Sequence, residues 1–255
     1  MNVSAVRGVC GSAAVFICSA DSRRDVLERI LLSVKKFWPD CPYPIYVGLN
    51  TDGKPLPIGV PLLAEPSEWH SEFAKQLAQL RERYLIVLLD DFLLCACVNQ
   101  LRVSELVNIS TALNLDYVRL VPLGRSLLAR LTGKHLHQMA RGVEQIQLGH
   151  PFYSALQIAL WRKDYLESRL TMRQTIWQFE RERPQPSVHC AITRDSPFRY
   201  QHLVERGLWL PYARRLLRRA GLPPELGRRP AWPKSRYLNL LWDQARWFVQ
   251  GYSNC

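Results

Sequence analysis

The sequence lacks several features that would assign it to a common class of protein. It has no run of about 18 apolar residues, the length that a membrane-spanning helix requires. Its opening residues carry no secretory signal pattern, so we expect a cytoplasmic protein. Seven cysteines are present, but their irregular spacing is not that of a zinc site or a disulfide framework. No glycine-rich phosphate loop lies near the N-terminus, which disfavours a nucleotidyltransferase.

Acidic residues are scarce, with 22 Asp and Glu against 34 Lys and Arg, and the excess charge is unevenly spread. Residues 206–236 carry nine basic residues and one acidic residue, and so supply +8 of the chain's +12. The pattern predicts a basic, aromatic-rich helical segment over 206–255. Such a segment suits the anionic inner face of the plasma membrane, or it packs on the rest of the chain; the pattern leaves both open.

The N-terminal half alternates short apolar runs with amphipathic stretches. Residues 13–18 and 44–49 have the composition of strands, and residues 21–38 between them have apolar side chains at helical spacing. This order predicts an α/β fold with a mostly parallel central sheet flanked by helices. We expect a catalytic domain over 1–205, with a loop at 125–150 and helix through much of 153–170.

The most distinctive feature is the pair Asp90-Asp91, which ends the most apolar run of the chain, Tyr84–Leu89. An unbroken apolar run is typical of a central parallel strand buried on both faces. Ligands of open α/β sheets bind at the carboxyl ends of such strands. Two carboxylates placed there require a cation, and a divalent metal with phosphate oxygens meets that need. The alternative is a polar turn that caps the next helix.

Four segments in order resemble bacterial glycosyltransferases with the nucleotide-diphospho-sugar transferase fold, called GT-A, of the type linked to surface-polysaccharide synthesis. The segments are Trp38–Val47, Tyr84–Leu93, Tyr153–Trp161 and Trp177–Glu180. The resemblance covers about residues 12–200. It implies a GT-A-like fold with a Rossmann-like N-terminal half, a nucleotide-sugar donor, with UDP as the usual nucleotide, and a Mn²⁺ or Mg²⁺ ion.

On the donor side, the resemblance implies that Asp90 and Asp91 bind the metal and that Asp91 takes part in catalysis. It further implies donor contacts from polar residues at or near the strand ends: Ser19, Asp21, Asn50, Asp52, Lys75 and Asp90. Ser19 and Asp21 serve equally well as helix caps, and Lys75 as an ordinary solvated residue of a helix.

On the acceptor side, the resemblance implies that Glu180 removes a proton from the acceptor hydroxyl as it attacks the donor sugar in a direct displacement. Trp177 is a candidate sugar platform, and Gln157 and Trp161, one helical turn apart, are candidate contacts to a saccharide or lipid-linked saccharide. The charged stretch 181–186 departs from the small residues usual at this point, and a plain surface glutamate is the alternative for Glu180.

Two other functions remain open from the sequence. One is an inactive glycosyltransferase-like scaffold within a polysaccharide assembly complex. The other is a nucleic-acid-binding protein, based on the pI of 9.6. The basic segment contains no recognisable nucleic-acid-binding module, and nucleic-acid binding does not explain Asp90-Asp91, so we expect no nucleic-acid partner.

Overall fold

A computed structural model describes residues 13–51, 54–121, 138–146, 153–170, 175–181 and 189–239, without the side chains of residues 177 and 181. The strands of the main sheet are β1 (Ala13–Cys18), β2 (Ile45–Leu49), β3 (Val60–Leu63), β4 (Tyr84–Leu89), β6 (Tyr117–Arg119), β7 (Gln138–Ala140), β8 (Val143–Gln145), β9 (Ala159–Arg162) and β10 (Cys190–Thr193). The strands outside it are β5 (Phe92–Leu94), β11 (Tyr200–His202), β12 (Val204–Glu205) and β13 (Leu208–Trp209). The helices are α1 (Arg24–Phe37), α2 (Trp69–Leu77), α3 (Gln100–Ala112), α4 (Lys163–Arg169), α5 (Ile176–Arg181) and α6 (Ala213–Arg219).

The described residues form a nine-stranded sheet in the order β3-β2-β1-β4-β9-β6-β10-β8-β7. Strands β3, β2, β1 and β4 are all parallel, and β6 and β10 are parallel to each other. Strand β9 lies antiparallel between β4 and β6, so β6 runs in the same direction as β4. The predicted fold class, an α/β protein with a mostly parallel central sheet, is confirmed.

Helices cover both faces of this sheet because their apolar residues recur at helical spacing. Helix α1 buries Val26, Leu27, Ile30, Leu31 and Val34 against one face. On the other face, α2 buries Phe73 and Leu77 in a second cluster. Strand β4 has residues in both clusters, as its unbroken apolar run predicts.

Two local predictions were wrong. Residues 159–162 are not helical but form β9, in which Trp161 pairs with Leu85 of β4 and with Tyr117 of β6. A short apolar run buried on both faces has no periodicity that separates a helix from a strand, and the partner strands decided the outcome. Part of the predicted loop 125–150 is the antiparallel pair β7 and β8. Apart from residues 138–146, that segment lies outside the described residues.

The first part of the basic C-terminal segment packs on the sheet domain. Ala213 and Leu217 of α6 are buried in the same core cluster as α1. Lys36 Nζ donates to the carbonyl of Ala220 at 2.7 Å, and Arg229 pairs with Asp25 at 2.9 Å. The apolar side of α6 is therefore used in packing. Within the described residues, no helix is both long and apolar enough to traverse a bilayer.

Candidate functional site

The order of the strands reverses between β1 and β4, which places a crevice at the carboxyl ends of these two neighbours. From β1 the chain moves outward to β2 and β3, and then returns to add β4 on the opposite side of β1. The pairing of Cys18 with Leu89 brings the residues that follow both strands, Ser19 and Asp90, to the same point. Such a switch point is the usual position of a ligand site in open α/β sheets.

Asp90 lies at the base of this crevice and is only 3% exposed. Its carboxylate accepts hydrogen bonds from Ser19 Oγ at 2.8 Å and from Arg23 Nε at 2.7 and 2.6 Å. Burial raises the pKa of Asp90, while the hydrogen bonds from Arg23 act in the opposite direction. Arginine remains charged in proteins, so Arg23 balances the buried carboxylate. Asp90 is thereby committed to Arg23 and Ser19.

Asp21 and Asn50 hold the ends of β1 and β2 together. The backbone N–H of each donates to the side-chain oxygen of the other at 3.0 Å. Burial raises the pKa of Asp21, but hydrogen bonds from Thr51 and the backbone of Asn50 outweigh it and lower that pKa. Both residues lie at the predicted edge, and their mutual bonds give them a structural role there. Asp52 lies outside the described residues.

Asp91 faces His202, which comes from a distant part of the sequence. Strand β5 follows Asp91 directly and pairs antiparallel with β11, so that His202 lies opposite Phe92. His202 Nδ1 and Asp91 Oδ2 are 3.2 Å apart. Burial lowers the pKa of His202, but the hydrogen bond and charge of Asp91 outweigh it and raise that pKa above 6.5. Asp91 and His202 therefore form a polar pair next to the buried Asp90.

The other wall of the site carries Tyr200, Gln157 and Glu180. The hydroxyl of Tyr200 donates to Gln157 Oε1, and the ring of Tyr200 packs on Phe92 at 4.7 Å. Glu180 Oε1 accepts a hydrogen bond from the backbone N–H of Leu156 at 2.9 Å, next to Gln157. Glu180 also acts on the pKa of Tyr200 and of His202. Gln157, Glu180 and Asp91, which are far apart in sequence, thus come to one region.

The position of Glu180 is set by its neighbour Phe179 on α5. Phe179 is fully buried, and its ring lies 5.7 Å from that of Trp69 and 5.9 Å from that of Trp161. Arg169 adds a guanidinium 4.6 Å from the centre of the Phe179 ring. These contacts fasten the short helix α5 over the sheet and leave Glu180 half-buried above Leu156.

Besides Asp52, three predicted site residues lie elsewhere or cannot be placed. Trp161 is fully buried and packs on Tyr117 and Tyr165, so its ring is part of the core and is not available to an acceptor. Lys75 is exposed in the second half of α2, away from the end that follows the carboxyl edge. The side chain of Trp177 lies outside the described residues.

A divalent metal fits Asp91 better than Asp90. The two oxygens of Asp90 already accept hydrogen bonds from Arg23 and Ser19. Asp91 has His202 as a neighbour, and one carboxylate with a neutral imidazole and diphosphate oxygens is an acceptable ligand set. Among the described residues no group of three or more His, Cys, Asp and Glu side chains is placed to hold a metal ion. A metal at this position would need ligands in addition to these two side chains.

The structure adds three residues to the site that sequence reasoning missed: Arg23, Tyr200 and His202. Arg23 lies in the first turn after β1, and its position close to Ser19 and Asp21 in the sequence could have indicated that it belongs to the site. His202 and Tyr200 had no such signal, because their place depends on the pairing of β11 with β5 across more than a hundred residues.

Comparisons with known proteins give similarity at the level of solved structures only. No protein-family model and no curated protein matches the sequence. Residues 1–349 of Staphylococcus aureus TarS are similar with 12% identity and a TM-score of 0.46, over 74% of this chain and 59% of that one. A further TarS structure, in complex with UDP-GlcNAc, has 12% identity and a TM-score of 0.39, over 82% of this chain and 65% of that one.

The 2-C-methyl-D-erythritol 4-phosphate cytidylyltransferase of Thermus thermophilus is also similar. It has 11% identity and a TM-score of 0.45, over 82% of this chain and 96% of that one. The present chain spans about three fifths of the first TarS structure. Because these identities and TM-scores are low, the fold assignment is based on the strand order of this chain and not on the similar structures.

Proposed function

We propose that the protein is a glycosyltransferase that transfers a sugar from a nucleotide-diphosphate donor, UDP-linked in the first instance, to a saccharide or lipid-linked saccharide. The observation that supports this proposal is the set of polar contacts at the carboxyl end of β4 and the strands beside it, which join Arg23 to Asp90, Asp91 to His202, Gln157 to Tyr200 and Glu180 to Leu156. A crevice of this kind holds a nucleotide at one end and an acceptor at the other.

On the donor side, the diphosphate lies against Arg23 and Asp91. Nε of Arg23 is bound to Asp90, whereas its terminal nitrogens have no partner among the described residues, and its side chain is 31% exposed. A guanidinium held in this way is pre-oriented for phosphate oxygens. A Mn²⁺ or Mg²⁺ ion, held by Asp91 and His202 with the diphosphate, would neutralise charge on the leaving nucleotide.

On the acceptor side, Glu180 is the general base. It accepts the proton of an acceptor hydroxyl while that oxygen bonds to the donor sugar and the bond from that sugar to the diphosphate breaks. Gln157, bound to Tyr200, orients the acceptor. This is a single displacement, in which the acceptor oxygen and the leaving diphosphate lie on opposite sides of the anomeric carbon and Glu180 lies within hydrogen-bonding distance of the acceptor hydroxyl.

An anionic membrane surface belongs to the proposal as a partner. Four arginines of α6 are exposed and have no described ion pair: Arg214, Arg215, Arg218 and Arg219. Each basic residue near an anionic bilayer contributes about 1 kcal/mol. Co-sedimentation with anionic vesicles at low salt should decrease strongly when all four are changed to Gln, and neutral vesicles serve as the control. Equal binding by both proteins would exclude α6 as the contact surface.

Calorimetric titration with UDP, with and without Mn²⁺, tests the proposed function. Asp91→Ala should abolish the metal-dependent part of binding, while Asp40→Ala, at an exposed site, should leave it unchanged. Binding that is indifferent to both metal and Asp91 would refute the donor site as described. If neither UDP nor any other nucleoside diphosphate binds, the inactive scaffold becomes the better explanation, and binding without turnover points the same way.

A further inference from the structure

Arg119 ends β6 at the same edge of the sheet as Asp90, but on the acceptor side of the crevice. In the sheet it pairs with Ala159 of β9 and with Ile192 of β10. Alternation along the strand puts it on the same face as Tyr117, whose neighbours there include Trp161. No motif in the sequence marks this arginine.

Two of the three guanidinium nitrogens of Arg119 have no hydrogen-bond partner in the described structure. Its Nε and Nη1 are buried and donate to no acceptor, and no ion pair joins the residue to another described residue. Three other arginines also have a buried, unpaired Nε, namely Arg29, Arg102 and Arg169. Each of those three bonds through another nitrogen of its guanidinium. Arg119 is therefore the exception among them.

Buried guanidinium nitrogens without a partner destabilise the folded state, because their desolvation is not offset by hydrogen bonds. Functional groups are often left in this condition until a ligand arrives. The nearby charges indicate which ligand. Arg119 and Glu180 act in opposite directions on the pKa of Tyr200, which burial raises to about 12. The same two residues also act in opposite directions on the pKa of Tyr117.

On the face of β6 that Arg119 shares with Tyr117, the Tyr117 hydroxyl donates to the carbonyl of Ala155, and the N–H of the next residue, Leu156, donates to Glu180. Arg119 therefore lies in the region of Glu180. No ion pair joins Arg119 to Glu180 in the described structure. We infer that Arg119 binds an anionic group, a phosphate or a carboxylate, carried by the acceptor next to the hydroxyl that Glu180 deprotonates. This inference rests on the proposed function for the identity of the acceptor, while the anion site itself stands on the geometry alone.

Thermal unfolding with inorganic phosphate tests the anion site. Phosphate should raise the Tm of the unmodified protein. Arg119→Met keeps an unbranched apolar side chain and removes the charge and the hydrogen-bond donors. It should leave the Tm without phosphate unchanged or higher, and it should weaken phosphate binding by about tenfold or more. Arg81→Met, at an exposed arginine that precedes β4 and has no described side-chain partner, serves as the matched control and should change neither value.

The outcomes separate the inference from its alternatives. A lower Tm for Arg119→Met with an unchanged phosphate response would show a structural arginine and overturn the inference. With UDP at saturation, a phosphate response that persists and depends on Arg119 supports an acceptor anion. A response that UDP removes would assign Arg119 to the donor and overturn the acceptor role. Acetate in place of phosphate distinguishes a carboxylate from a phosphate. If UDP does not bind but the response still depends on Arg119, the proposed function fails and the anion site remains.

Discussion

The pair of Arg23 and Asp90 offers the sharpest test of how the site is built. Asp90 is 3% exposed and the side chain of Arg23 is 31% exposed, so replacement of Arg23 leaves a carboxylate in the protein with only Ser19 as a partner. Loss of one partner from a buried ion pair costs about 3–5 kcal/mol. Because Arg23 is partly solvated, we expect Arg23→Met to lower the free energy of unfolding by about 3 kcal/mol.

The size of this loss should depend on pH in a definite direction. Burial raises the pKa of Asp90, and without Arg23 the opposing hydrogen bonds are lost. A carboxyl whose pKa is higher in the folded state than in the unfolded state favours folding when protonated, and this contribution disappears as pH rises through the folded-state pKa. Arg23→Met should therefore recover stability as the pH is lowered from about 7 to about 5, more steeply than the unmodified protein.

Urea unfolding at both pH values measures these effects, since a change in midpoint at constant slope reports stability alone. Adding Asp90→Asn to Arg23→Met removes the unpaired charge and should restore at least half of the loss. Arg214→Met is the control for removal of an exposed arginine. A loss below about 1 kcal/mol for Arg23→Met would resemble a surface pair and refute the reasoning. The reasoning would also be refuted if Asp90→Asn changed the free energy of unfolding equally in the unmodified protein and in Arg23→Met.

Three further results are expected. In an NMR titration, His202 should have a pKa above 6.5, because the effect of Asp91 outweighs that of burial. Asp91→Asn should lower this pKa. The stability that the pair contributes is present below pH 6.5 and is lost as the pH rises through the raised pKa of His202. Once an acceptor is found, Glu180→Gln should lower turnover by about 10²–10⁴-fold without changing the Kd for UDP, whereas a parallel loss of UDP binding would contradict its role as base. Trp161→Ala should cost about 3–5 kcal/mol in unfolding because its ring is in the core; a stable variant with a changed acceptor KM would instead restore Trp161 to the acceptor site.

The amino-acid sequence was sufficient for the parallel strands β1 to β4 and for the edge of the sheet at which we propose that the donor binds. Strand β4 and helix α1 were predictable because the spacing of their apolar residues indicates which side chains are buried. An unbroken apolar run favours burial on both faces, and apolar residues at helical spacing favour an amphipathic helix. The order of strand, helix and strand then implies parallel pairing and brings the residues after β1 and β4 to one edge.

Only the tertiary structure decided how the polar residues at that edge are used. Whether Asp90 or Asp91 is available to a metal depended on Arg23, a residue 67 positions from Asp90 in the sequence. The partner of Asp91 depended on a strand pairing that places His202 beside it from 111 positions away. Trp161 changed from an expected acceptor contact to a core residue once β9 was inserted between β4 and β6.

The physical reason for this division lies in the range of the interactions. Local periodicity reports burial, because the hydrophobic effect depends on the area that each side chain removes from water. Hydrogen bonds and ion pairs depend on direction and on distances of about 3 Å, which a linear pattern does not encode. The chain's apolar pattern therefore determined its layers, while the pairing of β5 with β11 and of Arg23 with Asp90 determined which charges face the crevice.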